Sequence, residues 1–314
     1  MENLVRKRIT NIAKIIIGLG LVMFLIFYVE PKAIYETYKK ADKIYLIAAF
    51  LLLPVNLGLQ FFKWNILSKK YFGIKDRSKV WHSMFYGISG GIFTPMKSGE
   101  YFARALPYKN VKILDVILAT IVDKFIPIFF AVLIGGTFFI IFLKSLIGFS
   151  IGTALVFIII YKISILTPLY FILGYSATSI KFRNWIKSKK YLEKILVRIA
   201  FIKSLDQKTL LSIVIISLLY HLTFTIQMTF LLIAFSGEFN FTLFFFAANL
   251  IIFAQIVIPP IALGEVGVRE GAAVYFLQNL GFIGAVGFNA AISLFFINLL
   301  IPSIIGLTLL LKRE

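Results

Sequence analysis

Apolar residues in this chain fall into long runs separated by clusters of lysine and arginine. A run of about 20 apolar residues is the length of a helix that crosses a bilayer, whereas a soluble core would alternate apolar and polar positions more finely. Such runs cover Ile12 to Val29, Ile44 to Phe62, about Ala119 to Leu143, Leu146 to Leu173, Leu210 to Phe235 and Phe282 to Leu311, which predicts six full spans. Two further apolar stretches, Trp81 to Thr94 and Phe241 to Pro259, are interrupted by polar, Gly-rich or Pro-rich sequence before they can cross as straight helices.

Basic residues set an orientation, because loops rich in lysine and arginine stay on the cytoplasmic side. Arg6, Lys7 and Arg8, the cluster from Lys63 to Lys79, the cluster from Lys181 to Lys208, and Lys312 with Arg313 are all assigned inside. On the other side Lys32, Lys39, Lys40 and Lys43 are offset by Glu30, Glu36 and Asp42, Lys144 stands alone, and Ser236 to Asn240 holds nothing basic. With six spans and both termini cytoplasmic, the pattern closes if Trp81 to Leu106 enters and leaves from inside while Phe241 to Leu277 enters and leaves from outside. Each is then a re-entrant hairpin. The stretch 181–208 reads either as an amphipathic helix on the inner leaflet or as a solvated basic loop. No small-residue cleavage site follows the first apolar run, so it is read as an uncleaved span.

Composition agrees with lipid as the solvent: 60% of the 314 residues are hydrophobic and 15% charged, with a mean hydropathy of +0.93. The fold class expected is therefore an all-α polytopic membrane protein in the plasma (inner) membrane, a single integral domain over 1–314. The formal charge of +19 fits a cytoplasmic surface against anionic lipid better than nucleic acid, since no basic face interleaved with aromatics belongs to a soluble domain. Cysteine is absent and the two histidines, His82 and His221, lie on different segments, so no metal site and no cofactor is expected.

The strongest motif occurs twice. Pro95, Gly99, Glu100 and Arg104 spell P-x3-G-E-x3-R, and so do Pro260, Gly264, Glu265 and Arg269. Comparable offsets relate the flanking spans, so 1–143 and 144–314 read as two repeats of inverted topology, a common transporter plan. Each proline breaks a helix and lets another start at depth, with free N–H groups. Ser98 is placed to cap the first new helix, and Gly99 and Gly264 allow a backbone or head group close approach. Two positive helix ends are expected to converge near the midplane, where an anion such as phosphate is stabilised. In each copy the Glu and Arg share a helix face, and Arg grips phosphate in a bidentate fork. Self-neutralising pairs that merely pin the hairpins would look the same in sequence.

Asp123, Lys124, Glu270 and Lys162 are further charges within apolar sequence. His221, Gln227, Asn249 and Gln255 are expected to make hydrogen bonds between helices. Gly87, Ser89 and Gly91 match G-x-S-x-G, which opens a reading as an intramembrane serine protease with His82 or His221 as base, although the strand and turn that give the motif meaning are missing.

The T-P-x3-G-E-x3-R core within Gly90 to Leu106, with Thr94, Pro95, Gly99, Glu100 and Arg104, resembles the first signature of the lysylphosphatidylglycerol synthase transmembrane, or flippase-like, family. Pro260, Gly264, Gly267, Arg269, Glu270 and Gly271 resemble the second, and the resemblance covers nearly the whole chain. Asp123 and Lys124 stand where Glu then Arg is expected, and Lys97 and Ser98 where a Gly and an Arg are commoner. The resemblance implies movement of a phospholipid or lipid-linked intermediate between leaflets. Lipid aminoacylation is not expected of this chain, and synthesis would require a separate lipid- or glycan-modifying enzyme as partner. The alternative is a non-transporting membrane subunit that binds lipid.

Overall fold

The computed structural model describes residues 20–92, 94, 97–148, 207–258 and 267–312, together with 151, 153, 155, 158, 159 and 161. Among the described residues every regular element is a helix. In chain order these are α1 (Gly20–Val29), α2 (Pro31–Lys39), α3 (Lys43–Phe72), α4 (Arg77–Ile92), α5 (Ser98–Ala103), α6 (Ile113–Ile147), α7 (Gln207–Ser236), α8 (Phe241–Val257), α9 (Val268–Asn279) and α10 (Gly284–Leu311). Within α10, Phe296–Leu300 winds as a π-helix.

Helices α3, α6, α7 and α10 are long and apolar enough to cross a membrane, and they are four of the six expected spans. α1 is the described part of the first. The span Leu146 to Leu173 is described at scattered positions, and the stretch 181–208 lies almost wholly outside the described residues, as does Lys162. Boundaries shift where capping decides them. Asp42 starts α3 by accepting from the Ile44 N–H at 2.8 Å, and the helix continues past Phe62 to Phe72, stopping at Gly73 in the left-handed conformation. Lys63 is therefore a helical residue, a correction to its assignment among the loop cations.

Contacts fix which end each hairpin enters. α3 and α7 are antiparallel, since Asp42 donates from its N–H to the Ala234 carbonyl at 2.9 Å while Lys63 lies over the Tyr220 ring at 5.5 Å. α3 ends, and α4 begins, at an end of the bundle rich in Lys69, Lys70, Lys75, Arg77 and Lys79. α4 is about 24 Å long, short of the roughly 30 Å hydrocarbon core, and α5 folds back along it. The returning chain brings the Tyr108 hydroxyl within 3.1 Å of the Ser68 hydroxyl near the end of α3, so the α4–α5 hairpin leaves from the basic end it entered. The α8–α9 pair does the same at the opposite end, where the Phe244 and Phe282 rings lie 5.1 Å apart. Each half thus runs long helix, hairpin, long helix, with the two hairpins entering from opposite ends.

The α4–α5 turn depends on two backbones in contact. A Cβ on Gly99 would sit 2.3 Å from the Gly90 carbonyl oxygen and 2.8 Å from the Thr94 methyl. Gly99→Ala is expected to lower stability by about 1–3 kcal/mol, the usual range for overpacking. Thermal unfolding in detergent reads this, with Gly58→Ala, which meets nothing within 4 Å, leaving the midpoint nearly unchanged.

Candidate functional site

The first hairpin delivers Arg104 into a five-membered ionic cluster. Glu100 sits one turn before it on the same side, as the spacing predicts, and accepts from Arg104 Nη2 at 2.8 Å. Asp123 of α6 accepts from Arg104 Nη1 at 2.9 Å. The other Asp123 oxygen lies 3.2 Å from Lys63 Nζ, which also donates to the Asp123 carbonyl at 2.7 Å. Lys124 Nζ lies 2.8 Å from Glu100 Oε1. Lys63, Glu100, Arg104 and Asp123 are buried, whereas the Lys124 side chain keeps 31% of its exposure. Asp123 lies about 15 Å along α6 from its start, within the span rather than at its edge.

Packing holds the guanidinium against Trp64. Its carbon lies 4.5 Å from the Trp64 ring centroid, and Gly87 faces its side chain so closely that a Cβ would come within 2.5 Å of Arg104 Cγ. Trp64 Nε1 donates to the Ser83 hydroxyl at 3.0 Å, and that hydroxyl donates to the Arg104 carbonyl at 2.7 Å. Lys63 and Trp64 are the members that the hydropathy reading missed. The signal was present: Asn56, Gln60 and Lys63 recur at helical spacing, and Gln60 donates to Asn56 at 2.9 Å.

The second hairpin buries Arg269 and Glu270 completely. Arg269 Nη2 donates to Glu270 Oε1 at 3.0 Å, and Glu270 Oε2 accepts from the Gly267 N–H at 2.7 Å. Glu270 therefore serves both as counterion and as cap of α9. Arg269 Nε and Nη1 have no hydrogen-bond partner among the described residues. Pro95, Pro260, Gly264 and Glu265 lie outside the described residues.

Two expectations about the helix ends need correction. Thr94, not Ser98, caps α5, accepting from the Gly99 N–H at 2.7 Å, so that donor is already occupied. The two arginines also do not meet at one point. Phe85 and Ser89 on α4 seat against Gly306 and Ser303 of α10, and Gly87 with Arg104 lies on the opposite side of α4. Arg269 instead lies 5.9 Å from the Phe295 ring, about two turns or 12 Å earlier along α10. The hairpins deliver two charged stations at different depths, because each docks on its own stretch of α10.

Buried polar groups also stand among the apolar side chains of the bundle core. Gln227 donates to the Ala49 carbonyl at 2.8 Å and accepts from Asn298 at 2.6 Å, joining α7 to α3 and α10 as expected for an interhelical group. Among the described residues, buried Asn56 Nδ2, Ser217 Oγ, His221 Nε2, Asn249 Oδ1 and Asn298 Oδ1 have no hydrogen-bond partner. Ser89, the candidate nucleophile, donates to the Ser303 carbonyl at 2.7 Å, and His82 Nδ1 instead pairs with the Ser78 carbonyl at 2.7 Å. Ser89 thus joins α4 to α10, and among the described residues no hydrogen bond links it to His82 or His221.

The family model described as lysylphosphatidylglycerol synthase TM region matches residues 11–306. No curated protein and no solved structure matches the chain.

Proposed function

Because the chain belongs to the lysylphosphatidylglycerol synthase TM region family, we propose that it carries the head group of an anionic phospholipid or lipid-linked intermediate between leaflets while the acyl chains stay in lipid. One observation carries this reading: the first cluster holds three cations, Lys63, Arg104 and Lys124, against two carboxylates, Glu100 and Asp123. Buried charge left unbalanced is costly, so among the described residues the cluster is one negative charge short, and Lys124 is its partly exposed member. A phosphate completes it. Arg269, whose Nε and Nη1 have no partner among the described residues, is the second station, and buried polar side chains such as Gln227 and Asn298 suit the passage of a hydrated head group.

Both stations sit on hairpins that enter from opposite ends, so rocking one half, 1–143, against the other, 144–314, exposes them alternately. The lysines of the basic end support a cytoplasmic orientation in the plasma membrane for that end, and with it for both termini. Glu100 is the exchange partner at the first station, releasing Lys124 and then Arg104 as phosphate arrives.

Lys124→Gln tests this with little structural risk. In liposomes the variant is expected to move a fluorescent anionic lipid about tenfold more slowly than wild type, with an unchanged unfolding midpoint. Equal rates would remove the first station. If the wild-type chain moves no lipid while co-purifying with a lipid- or glycan-modifying enzyme, the non-transporting subunit is the correct reading.

A further inference from the structure

At the basic end, on the side of α4 next to that which holds Arg104, a cavity of about 420 Å³ opens between α4, the segment after α5 and the end of α10. Three lysines from these three separate parts of the chain line it, Lys79, Lys109 and Lys312, joined by His82, and among the described residues no carboxylate does. The nearby Asp76 carboxylate accepts from the Ser78 and Lys79 N–H groups at 2.9 and 3.4 Å, so it caps α4. The remaining wall is apolar: Tyr86, Pro107 and Leu309. Tyr86 is buried and its hydroxyl donates to the Leu309 carbonyl at 3.2 Å, which ties α4 to the end of α10 and fixes that wall. His82 Nδ1 is taken by the Ser78 carbonyl at 2.7 Å, leaving Nε2 as its available ring nitrogen.

We propose that this cavity is a separate binding site for the phosphate head group of an anionic lipid in the leaflet at the basic end. Cations converging from three elements with no opposing acid among the described residues favour an anion, and phosphate accepts from several lysines at once. The apolar wall beside them fits the glycerol and first methylenes of a lipid rather than a wholly hydrated ion. The length of the lysine stems suits a head group held at the membrane surface. Lys79, His82 and Tyr86 lie on the side of α4 next to Ser83 and Gly87, which hold Arg104, so an occupant here sits one helix face away from the first station. The site stands whether or not lipid is carried across.

A photoreactive short-chain anionic glycerophospholipid tests the assignment on the purified full chain. Labelling is expected within 77–92 and 301–312, and K79Q/K109Q/K312Q is expected to reduce it at least tenfold. K69Q/K75Q/K112Q removes the same charge from exposed lysines of the same end, and Lys124→Gln alters the first station; neither is expected to change labelling there. Equal loss in both triple variants would reduce the site to diffuse surface charge. Competition by inorganic phosphate at the lipid's own concentration would make it a site for soluble anions, and labelling spread evenly over the chain would mean no site. Each of these results overturns the proposal.

Discussion

Asp123→Ala is expected to be the most damaging single substitution in the first half, costing about 3–5 kcal/mol, the range for breaking a buried ion pair from one side. It strips Lys63 and Arg104 of their shared carboxylate at once, 3.2 and 2.9 Å away, and leaves Glu100 facing three buried or half-buried cations. The loss is read as a lower unfolding midpoint and a reduced yield of monodisperse protein. The cation that suffers most can be identified by compensation. Lys63→Met in the Asp123→Ala background is expected to restore part of the stability, because an apolar replacement removes an uncompensated charge. Lys124→Met in that background restores less, since its half-exposed side chain reaches water. An Asp123→Ala protein as stable as wild type would mean that the cluster is neutralised in some other way.

The second large effect separates structure from transport. Arg269→Met strands Glu270 with the Gly267 N–H as its one described partner, and about 3–5 kcal/mol is again expected. Changing both members, Arg269→Met with Glu270→Gln, removes the buried charge while keeping an oxygen acceptor for that N–H. The double variant is expected to regain most of the lost stability but none of the lipid movement, because the idle guanidinium donors are gone. Arg269→Lys keeps the charge and loses the fork, and it is expected to fall between the two. If stability and transport recover together, Arg269 acts by holding α9 in place rather than by meeting a head group.

Much of this arrangement was legible in the residues. The interruptions of the two apolar stretches showed that each turns back as a hairpin, and the balance of lysines showed that the two enter from opposite ends. Glu100 and Arg104 were paired by their spacing alone. Other features were decided by tertiary contacts that local pattern does not encode. The apolar run ends at Phe62, so Lys63 looked like a loop residue, yet the helix goes on and Asp123 waits across the bundle. Ser98 had the right chemistry for a cap, but the turn brings Thr94 within reach of the Gly99 N–H first. The separation of the two arginines follows from where α4 lands on α10, set by the contacts of Gly306 and Ser303, and nothing in the duplicated motif carries that information. Glu270 was visible as a buried charge; its double duty to Arg269 and to the start of α9 needed the fold.

The central claim is that an anionic head group uses the buried arginines as stations, and the folded Arg269→Met/Glu270→Gln protein tests it most directly. Its rate of transferring a labelled anionic lipid between the leaflets of a liposome should drop to that of protein-free vesicles, with wild-type protein well above both. A double variant that transfers the lipid at the wild-type rate would contradict the account.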